Sequence, residues 1–375
     1  MEKPEKNVII VRGRGIEPAV NKMAYSLARN GYHVNLLVWD RQGTVDVDQI
    51  SGFSVSRCTF RAPYDSPLAI AYLPLWWIYE LWYLLKNDCS VIHACDIDTI
   101  VPAVLAKMVK NVRLIYTIYD FYADCLPERT PGFIRKLIAF FDKNMIRFTD
   151  TLILVDETRY AQINGAKIRK IEYICNTPLD LPEITQNPIH SSGPDTFVLF
   201  YAGAFLQDRG LDYILEAVKD ITQIQVIIAG FGPELEMVCT HAKKDPEKIQ
   251  YLGLLPYNEV LDKTMKADML FAFYDPSIPN NRYASPNKLF EAMMCGKPVL
   301  TNDKTSMAEI VRTENCGLIV PYGDISAIKH AILMLKEDPE LCNLLGMNGR
   351  KAYEQKYSWT IMEKRLLAVY EHLTD

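Results

Sequence analysis

The sequence predicts an α/β protein of two successive domains, each a parallel sheet flanked by helices, and three observations carry that prediction. Short β-branched runs alternate with helical patterns through the first half of the chain. A stretch rich in Pro, Ser, Asn and Gly, residues 177–194, then interrupts the pattern. After it the same alternation starts again. A length of 375 residues agrees, because one hydrophobic core seldom serves so long a chain.

In the first half the strand-like runs are 7–11, 33–39, 54–58, 90–93, 113–118, 151–155 and 170–174. The plainest helix covers 18–30, where Val20, Met23, Ala24 and Leu27 make one apolar stripe and Gly31 stops it. In the second half, strands are expected at 196–202, 225–229, 249–252, 269–273, 298–301 and 317–320. Helices fall at 211–219, 233–243, 257–266, 286–295 and 325–336. A last amphipathic helix follows Tyr357-Ser358-Trp359-Thr360, and it packs on its own domain or returns to the first. The expected division is 1–186 together with 357–375, a linker at 187–194, and a second domain at 195–356.

A net charge of −5 argues against a broad nucleic-acid surface. The nine cysteines contain no C-x-x-C pair, so no zinc site is expected, and they read as buried thiols of a reducing compartment. The first residues lack a signal-peptide pattern, which predicts a cytoplasmic protein. Residues 67–85, PLAIAYLPLWWIYELWYLL, are near the ~20 residues that span a bilayer. Pro74 and Glu80 count against spanning, and Trp76, Trp77 and Trp82 prefer an interface. Two readings stay open: a buried core helix, or peripheral contact with a membrane.

In open parallel sheets ligands bind beyond the carboxyl ends of strands, so the loops there hold the candidate site. The first strand leads into Arg12-Gly13-Arg14-Gly15 and then a helix, a geometry that lets backbone N–H groups meet an anion. Gly203, Gly230 and Gly232 end strands of the second half. Arg209 precedes a helix, where it reaches a phosphate or pairs with Asp208 or Asp212. The strongest local pattern is Ser285-Pro286-Asn287-Lys288 through Glu291. Ser285 is the expected N-cap, Pro286 the first helical turn, and Gly296 and Pro298 the stop. Lys288 in the first turn opposes the helix dipole and suits a diphosphate; Glu291, one turn on, suits ribose hydroxyls. A Lys288–Glu291 pair is the other reading. In the first half, Asp96, Tyr122 and Asp124 suit sugar hydroxyls. His93 reads as a structural histidine, and Asp98 as the cap of the helix that follows.

The second half resembles the retaining glycosyltransferases of family four, which have the GT-B fold of two Rossmann-like domains facing a cleft. The resemblance lies in YAGAFLQDRGLDYILEAV, IIAGFGPELE, IQYLGLLPYNEV, SPNKLFEAMMCGKPVLTND and AEIVRTENCGLIVPYGD. The first half resembles them more loosely, through RGRG, VIHACDIDTIVPAVLAK, YDFYAD and DTLILVDETR. This implies a nucleoside-diphosphate sugar donor, a UDP- or GDP-sugar, held by the second domain, and a glycan or lipid-linked acceptor on the first. It further implies transfer with retention, no essential metal and no cofactor, and a last helix that crosses back to the first domain. By position, Arg209 and Lys288 are implied to stabilise the leaving diphosphate. Gly13, Gly15, Gly203, Gly230, Gly232, Pro256, Tyr257, Ser285, Pro286, Asn287 and Glu291 line the donor, and Tyr119 and Asp120 stand at the catalytic loop. The chain departs from the family at Ala204, Tyr283 and Tyr119, where relatives often carry Arg, Glu and His. A binding or scaffold subunit, and a sugar-nucleotide epimerase, are therefore the alternatives to transfer.

Overall fold

The structure is a computed structural model that describes residues 6–15, 17–43, 52–63, 69–126, 129–180 and 196–374. The chain separates into two compact units, Met1–Cys175 with Met362–Asp375, and Asn176–Ile361. The division after Cys175 precedes the expected linker, and 187–194 lie outside the described residues. Residues 177–180, expected as linker, are anchored in the second unit. Thr177 is buried, and Tyr353 donates to the Pro178 carbonyl at 3.0 Å and to Asp180 Oδ1 at 2.6 Å.

The first unit runs β1 (Asn7–Arg12), α1 (Pro18–Arg29), β2 (His33–Trp39), β3 (Ser54–Cys58), α2 (Ala69–Lys86), β4 (Val91–Cys95) and α3 (Ile97–Lys110). It continues through β5 (Arg113–Ile118), α4 (Tyr122–Cys125), α5 (Gly132–Ile146), β6 (Thr151–Leu154) and β7 (Ile171–Tyr173). Among the described residues the strands form one parallel sheet in the order β3-β2-β1-β4-β5-β6-β7. Right-handed crossovers put α1, which leads away from β4, on one face. They put α2, α3 and α5, which lead towards β7, on the other. α1 begins with Pro18 at its first position and buries Val20, Met23, Ala24 and Leu27 as its stripe predicts.

The second unit runs β8 (Phe197–Ala204), α6 (Leu211–Ala217), β9 (Ile224–Phe231), α7 (Leu235–Lys244), β10 (Ile249–Tyr251), α8 (Tyr257–Lys266) and β11 (Met269–Ala272). Then follow α9 (Asn287–Met294), β12 (Val299–Asn302), α10 (Ser306–Glu314), β13 (Gly317–Val320), α11 (Ile325–Glu337) and α12 (Pro339–Ala352). Its described strands are again parallel, in the order β10-β9-β8-β11-β12-β13. The last helix, α13 (Trp359–Thr374), straddles the division, and its residues from Met362 onward belong to the first unit. There Arg29 Nε donates to Glu363 at 2.9 Å, and the buried Tyr370 ring meets Tyr32 edge-on at 5.4 Å.

The core-helix reading of α2 holds for one side of the helix only: Trp76 and Leu84 join the core, with Leu73, Trp77 and Leu81 packed against it. Only Trp76, Glu80 and Leu84 of it are buried, and Ile78, Trp82 and Leu85 stand in solvent. Trp76 pins the helix by stacking on Trp39 at 5.6 Å. Glu80 is fully buried and neither of its oxygens has a hydrogen-bond partner. Burial, reinforced by the charge of Asp98, pushes its carboxyl well above the usual carboxylate range. Residues 67 and 68 lie outside the described residues, and no described helix is long and apolar enough to cross a membrane.

Candidate functional site

Each sheet reverses its strand order once, between β1 and β4 and between β8 and β11, and the loops beyond those strand ends are where ligands bind. Most of the predicted residues fall there, within one unit or the other.

In the second unit, β8 ends at Gly203 and β11 leads into α9. Lys288, in the first turn of α9, brings its ammonium to 3.7 Å from the centroid of the Tyr201 ring. A Cβ on Gly203 would sit 3.1 Å from that same nitrogen, so these two predicted residues do meet. Among the described residues no carboxylate forms an ion pair with Lys288, so the alternative Lys288–Glu291 pair is absent. Burial above all, and the charge of Arg209 next, lower the Lys288 pKa to about 7. Glu291 is buried and is hydrogen bonded to the Tyr257 hydroxyl, which connects the start of α8, just after Pro256, to α9.

The cap of α9 departs from expectation. Pro286, not Ser285, occupies the N-cap position, and no side chain caps the helix. The Ser285 hydroxyl and Asn287 Oδ1 are instead buried without a hydrogen-bond partner. Buried polar atoms are rarely left so. Two such atoms stand beside the open N–H groups of α9, where an anion is favoured. Arg209 takes the other reading the sequence left open: it pairs with Asp208 and lies 4.0 Å from the Tyr274 ring. Asp208 also accepts from Asn281 Nδ2 at 2.7 Å. Gly230 and Gly232 answer first to the protein itself. A Cβ on Gly230 would lie 1.9 Å from the Gly203 carbonyl oxygen, and one on Gly232 2.4 Å from that of Phe205. Tyr201, Tyr274 and Asn281 were not singled out from the sequence, because nothing local distinguishes them from core or loop residues.

In the first unit the strand-end loops are tied by charges. Arg12, the last residue of β1, is buried and pairs with Asp96 and Glu17. Asp96 closes β4 with φ 67 and ψ 171, a backbone region that costs about 1–3 kcal/mol for a residue with a side chain. Its Oδ1 accepts from the Tyr119 amide at 2.7 Å and the Asp120 amide at 3.3 Å. Asp96, expected to meet sugar hydroxyls, thus has both carboxylate oxygens engaged inside the protein and positions the loop after β5. It also holds the N-cap position of α3, so Asp98 lies inside the first turn rather than capping it. Asp98 packs under Gly13, where a Cβ would meet it at 2.1 Å, and Arg41 donates to the Gly13 carbonyl at 2.8 Å.

Gly15 continues that loop towards α1. Asp120 pairs with Arg159 at 3.3 Å, Arg159 donates to Gln162 at 3.1 Å, and Gln162 donates to Asp124 at 2.7 Å. Tyr122 begins α4 beside them. The Arg12 guanidinium lies 5.0 Å from the Tyr119 ring, and burial drives the Tyr119 phenol far above its ordinary pKa. Tyr119 therefore keeps its proton and does not act as a base near neutral pH. His93 is structural: Nδ1 contacts the Tyr370 hydroxyl at 2.7 Å and Nε2 the Thr117 hydroxyl at 2.6 Å.

An unpaired cation at a helix N-terminus in one unit, and a strapped acidic and aromatic loop in the other, suit binding of an anionic donor and a hydroxylated acceptor. Known proteins are similar to each half of the chain. The family described as "Glycosyl transferases group 1" matches residues 183–352, and that described as "Glycosyl transferase 4-like domain" matches residues 14–177. Each half of the chain is thus similar to a glycosyltransferase domain. An uncharacterized glycosyltransferase of Methanocaldococcus jannaschii is 25% identical over 283 residues, 71% of this chain and 77% of that protein. The capsular polysaccharide biosynthesis glycosyltransferase CapM of Staphylococcus aureus is 27% identical over 180 residues, 47% of this chain and 46% of that protein. Among solved structures, a sucrose-phosphate synthase of Thermosynechococcus elongatus superposes with a TM-score of 0.78 at 17% identity, covering 98% of both chains. Anabaena HepE in complex with UDP and glucose gives 0.73 at 15% identity, covering 97% of this chain and 99% of its own. These likenesses give the chain the fold of GT-B enzymes, two Rossmann-like parallel-sheet units.

Proposed function

We propose that this chain moves a hexose-type sugar from a UDP- or GDP-sugar to a glycan or lipid-linked acceptor at the inner membrane face, with retention at the anomeric carbon and without a metal. The observation that carries the reading is the Lys288 ammonium at the N-terminus of α9. It has no carboxylate partner among the described residues and stands in the same turn as the unpartnered Ser285 and Asn287 atoms. A diphosphate would satisfy these groups together. The HepE complex with UDP and glucose supports the donor class, and CapM supports a polysaccharide acceptor.

In this reading Lys288, and Arg209 once released from Asp208, stabilise the charge that builds on the leaving diphosphate. Glu291 takes ribose hydroxyls, and Pro256 and Tyr257 flank the base. Gly203, Gly230 and Gly232 give the donor close backbone on the second unit. Asp120, Tyr122 and Asp124 meet the acceptor, and Tyr119 orients it without accepting its proton. The bond from the anomeric carbon to the phosphate oxygen breaks, and the acceptor oxygen bonds to the same face of that carbon. The acceptor proton passes to the departing phosphate oxygen, so the reaction needs no protein base.

The departures from the family pattern at Ala204, Tyr283 and Tyr119 favour a second reading, a subunit that binds donor without transferring it. Purified protein offered UDP- and GDP-sugars with glycan acceptors releases nucleoside diphosphate if the first reading holds, and NMR of the product shows a retained anomer. Donor binding without release across the panel selects the second.

A further inference from the structure

Helices α2, α3 and α5 share one face of the first sheet, with α3 packed between the other two. Each is apolar on its outward side at helical spacing. On α2, Leu75, Ile78 and Trp82 are exposed, and Ile78 is 67% accessible. On α3, Leu105, Met108 and Val109 are exposed, the last two above 70%. On α5, Phe133, Leu137 and Phe140 follow at steps of four and three residues, all exposed. A soluble surface helix turns its apolar stripe inward and its charges outward. Here an outward apolar stripe recurs on three adjacent helices, an exposed patch of the kind that marks an interaction surface.

The charges identify the partner. The three acidic residues on these helices all point away from the face: Glu80 and Asp142 are buried, and Asp98 packs under Gly13. The cations Lys86, Lys136 and Arg147 stand exposed at its margins. Lys86 sits 4.9 Å from the Trp82 ring, an aromatic-and-lysine pairing suited to the headgroup level of a bilayer. The exposed Asp88 beyond α2 is neutralised by Lys110 at 3.2 Å. The chain as a whole carries −5, so this cationic rim does not reflect its average charge. A second copy docked on the same face would bring these cations against each other.

We infer that the α2, α3 and α5 face seats the protein on the surface of an anionic phospholipid bilayer, its apolar ridges in the headgroup–acyl boundary and its lysines and arginine at the phosphates. This surface is independent of the donor site and does not require transfer activity.

The test is flotation of the full chain with phosphatidylcholine vesicles and with vesicles of equimolar phosphatidylcholine and phosphatidylglycerol. The intact protein should float with the anionic vesicles, less so as salt rises, and Trp82 emission should shift to the blue in a signal that Trp82→Phe loses. Ile78→Glu with Leu137→Glu should abolish flotation. Lys86→Glu and Lys136→Glu should each weaken it at least about five-fold, the factor one basic side chain contributes near such a surface. The positions are exposed, so circular dichroism melts and nucleoside diphosphate binding should match the parent protein and separate this test from that of transfer. Intact protein that stays lipid-free, or an apolar variant that floats like the parent, overturns the inference. So does an apolar variant whose only change is loss of a dimer in light scattering, which would assign the face to a second copy.

Discussion

The Asp96 carboxylate receives the Tyr119 amide at 2.7 Å, so the loop after β5 hangs from the residue that follows β4. The same carboxylate pairs with the buried Arg12 at the end of β1. One side chain therefore sets the relative position of three strand ends. Asp96→Ala leaves Arg12 buried beside Glu17, and removing one partner of a buried pair costs about 3–5 kcal/mol. Urea unfolding followed by tryptophan fluorescence should show a loss of that size, since four of the five tryptophans lie in the first unit. Nucleoside diphosphate affinity should fall far less, because Ser285, Asn287 and Lys288, which hold the diphosphate in the proposed reading, belong to the second unit. An equal loss of nucleotide affinity would contradict that assignment.

Nucleotide binding should depend on pH through Lys288. Its pKa in the free protein is about 7, and a bound diphosphate holds it charged. Binding above pH 7 therefore takes up a proton, and affinity should fall by up to about ten-fold per pH unit there. Calorimetry in buffers of different ionisation enthalpy measures the uptake directly. Lys288→Met should weaken binding at pH 6 by about 10–100-fold, the range of a lost hydrogen bond to a charged group, and flatten the profile.

His93 should make the first unit acid-sensitive. Burial lowers its pKa to about 3, below its unfolded value, so the unfolded chain binds the proton first as pH falls. Stability is complete above about 6.5, the reference pKa of histidine, and declines towards pH 3 at up to about 1.4 kcal/mol per unit. His93→Gln should begin about 1 kcal/mol less stable at pH 7 and lack this decline. Thermal melts across that window compare the two slopes.

Glu80 acts in the opposite sense. Its folded pKa lies above its unfolded value, so the folded chain keeps a proton that the unfolded chain has lost, and stability falls as pH rises past the unfolded pKa. Glu80→Leu removes a buried carboxyl with no partner and should stabilise the protein by about 1–3 kcal/mol at pH 8, with a smaller gain at pH 5. A loss of stability at pH 8 would mean that the carboxyl has a stabilising role.

Much of the architecture was legible because β-branched runs in a parallel sheet need little context. The strands His33–Trp39, Ser54–Cys58, Arg113–Ile118 and Gly317–Val320 and the helix Tyr257–Lys266 match their sequence-derived bounds. Helix α9 was legible from Ser285 to Gly296 for a similar reason: its signals are local. Its cap was misassigned because Ser285 and Pro286 both fit a helix start, and only the backbone shows Pro286 at the N-cap. The burial pattern of α2 was illegible because an apolar stripe reads the same whether it faces a core or a partner. The Arg12–Asp96 tie joins residues 84 apart, and the Lys288–Tyr201 contact joins a helix to the middle of a strand. Such pairs have no sequence period, and only the folded chain brings them together.

The placement of α13 bears on biosynthesis. Tyr370, which completes the hydrogen bonding of His93, follows it by 277 residues, with the whole second unit between them. At a translation rate of about 5–20 residues per second, β4 waits roughly 15–55 s after emerging before its partner is made. The second unit is finished while the first still lacks a wall of its core. The unit begun earlier on the ribosome is closed later, and any chimera that exchanges one unit for another must be cut at two places in the gene.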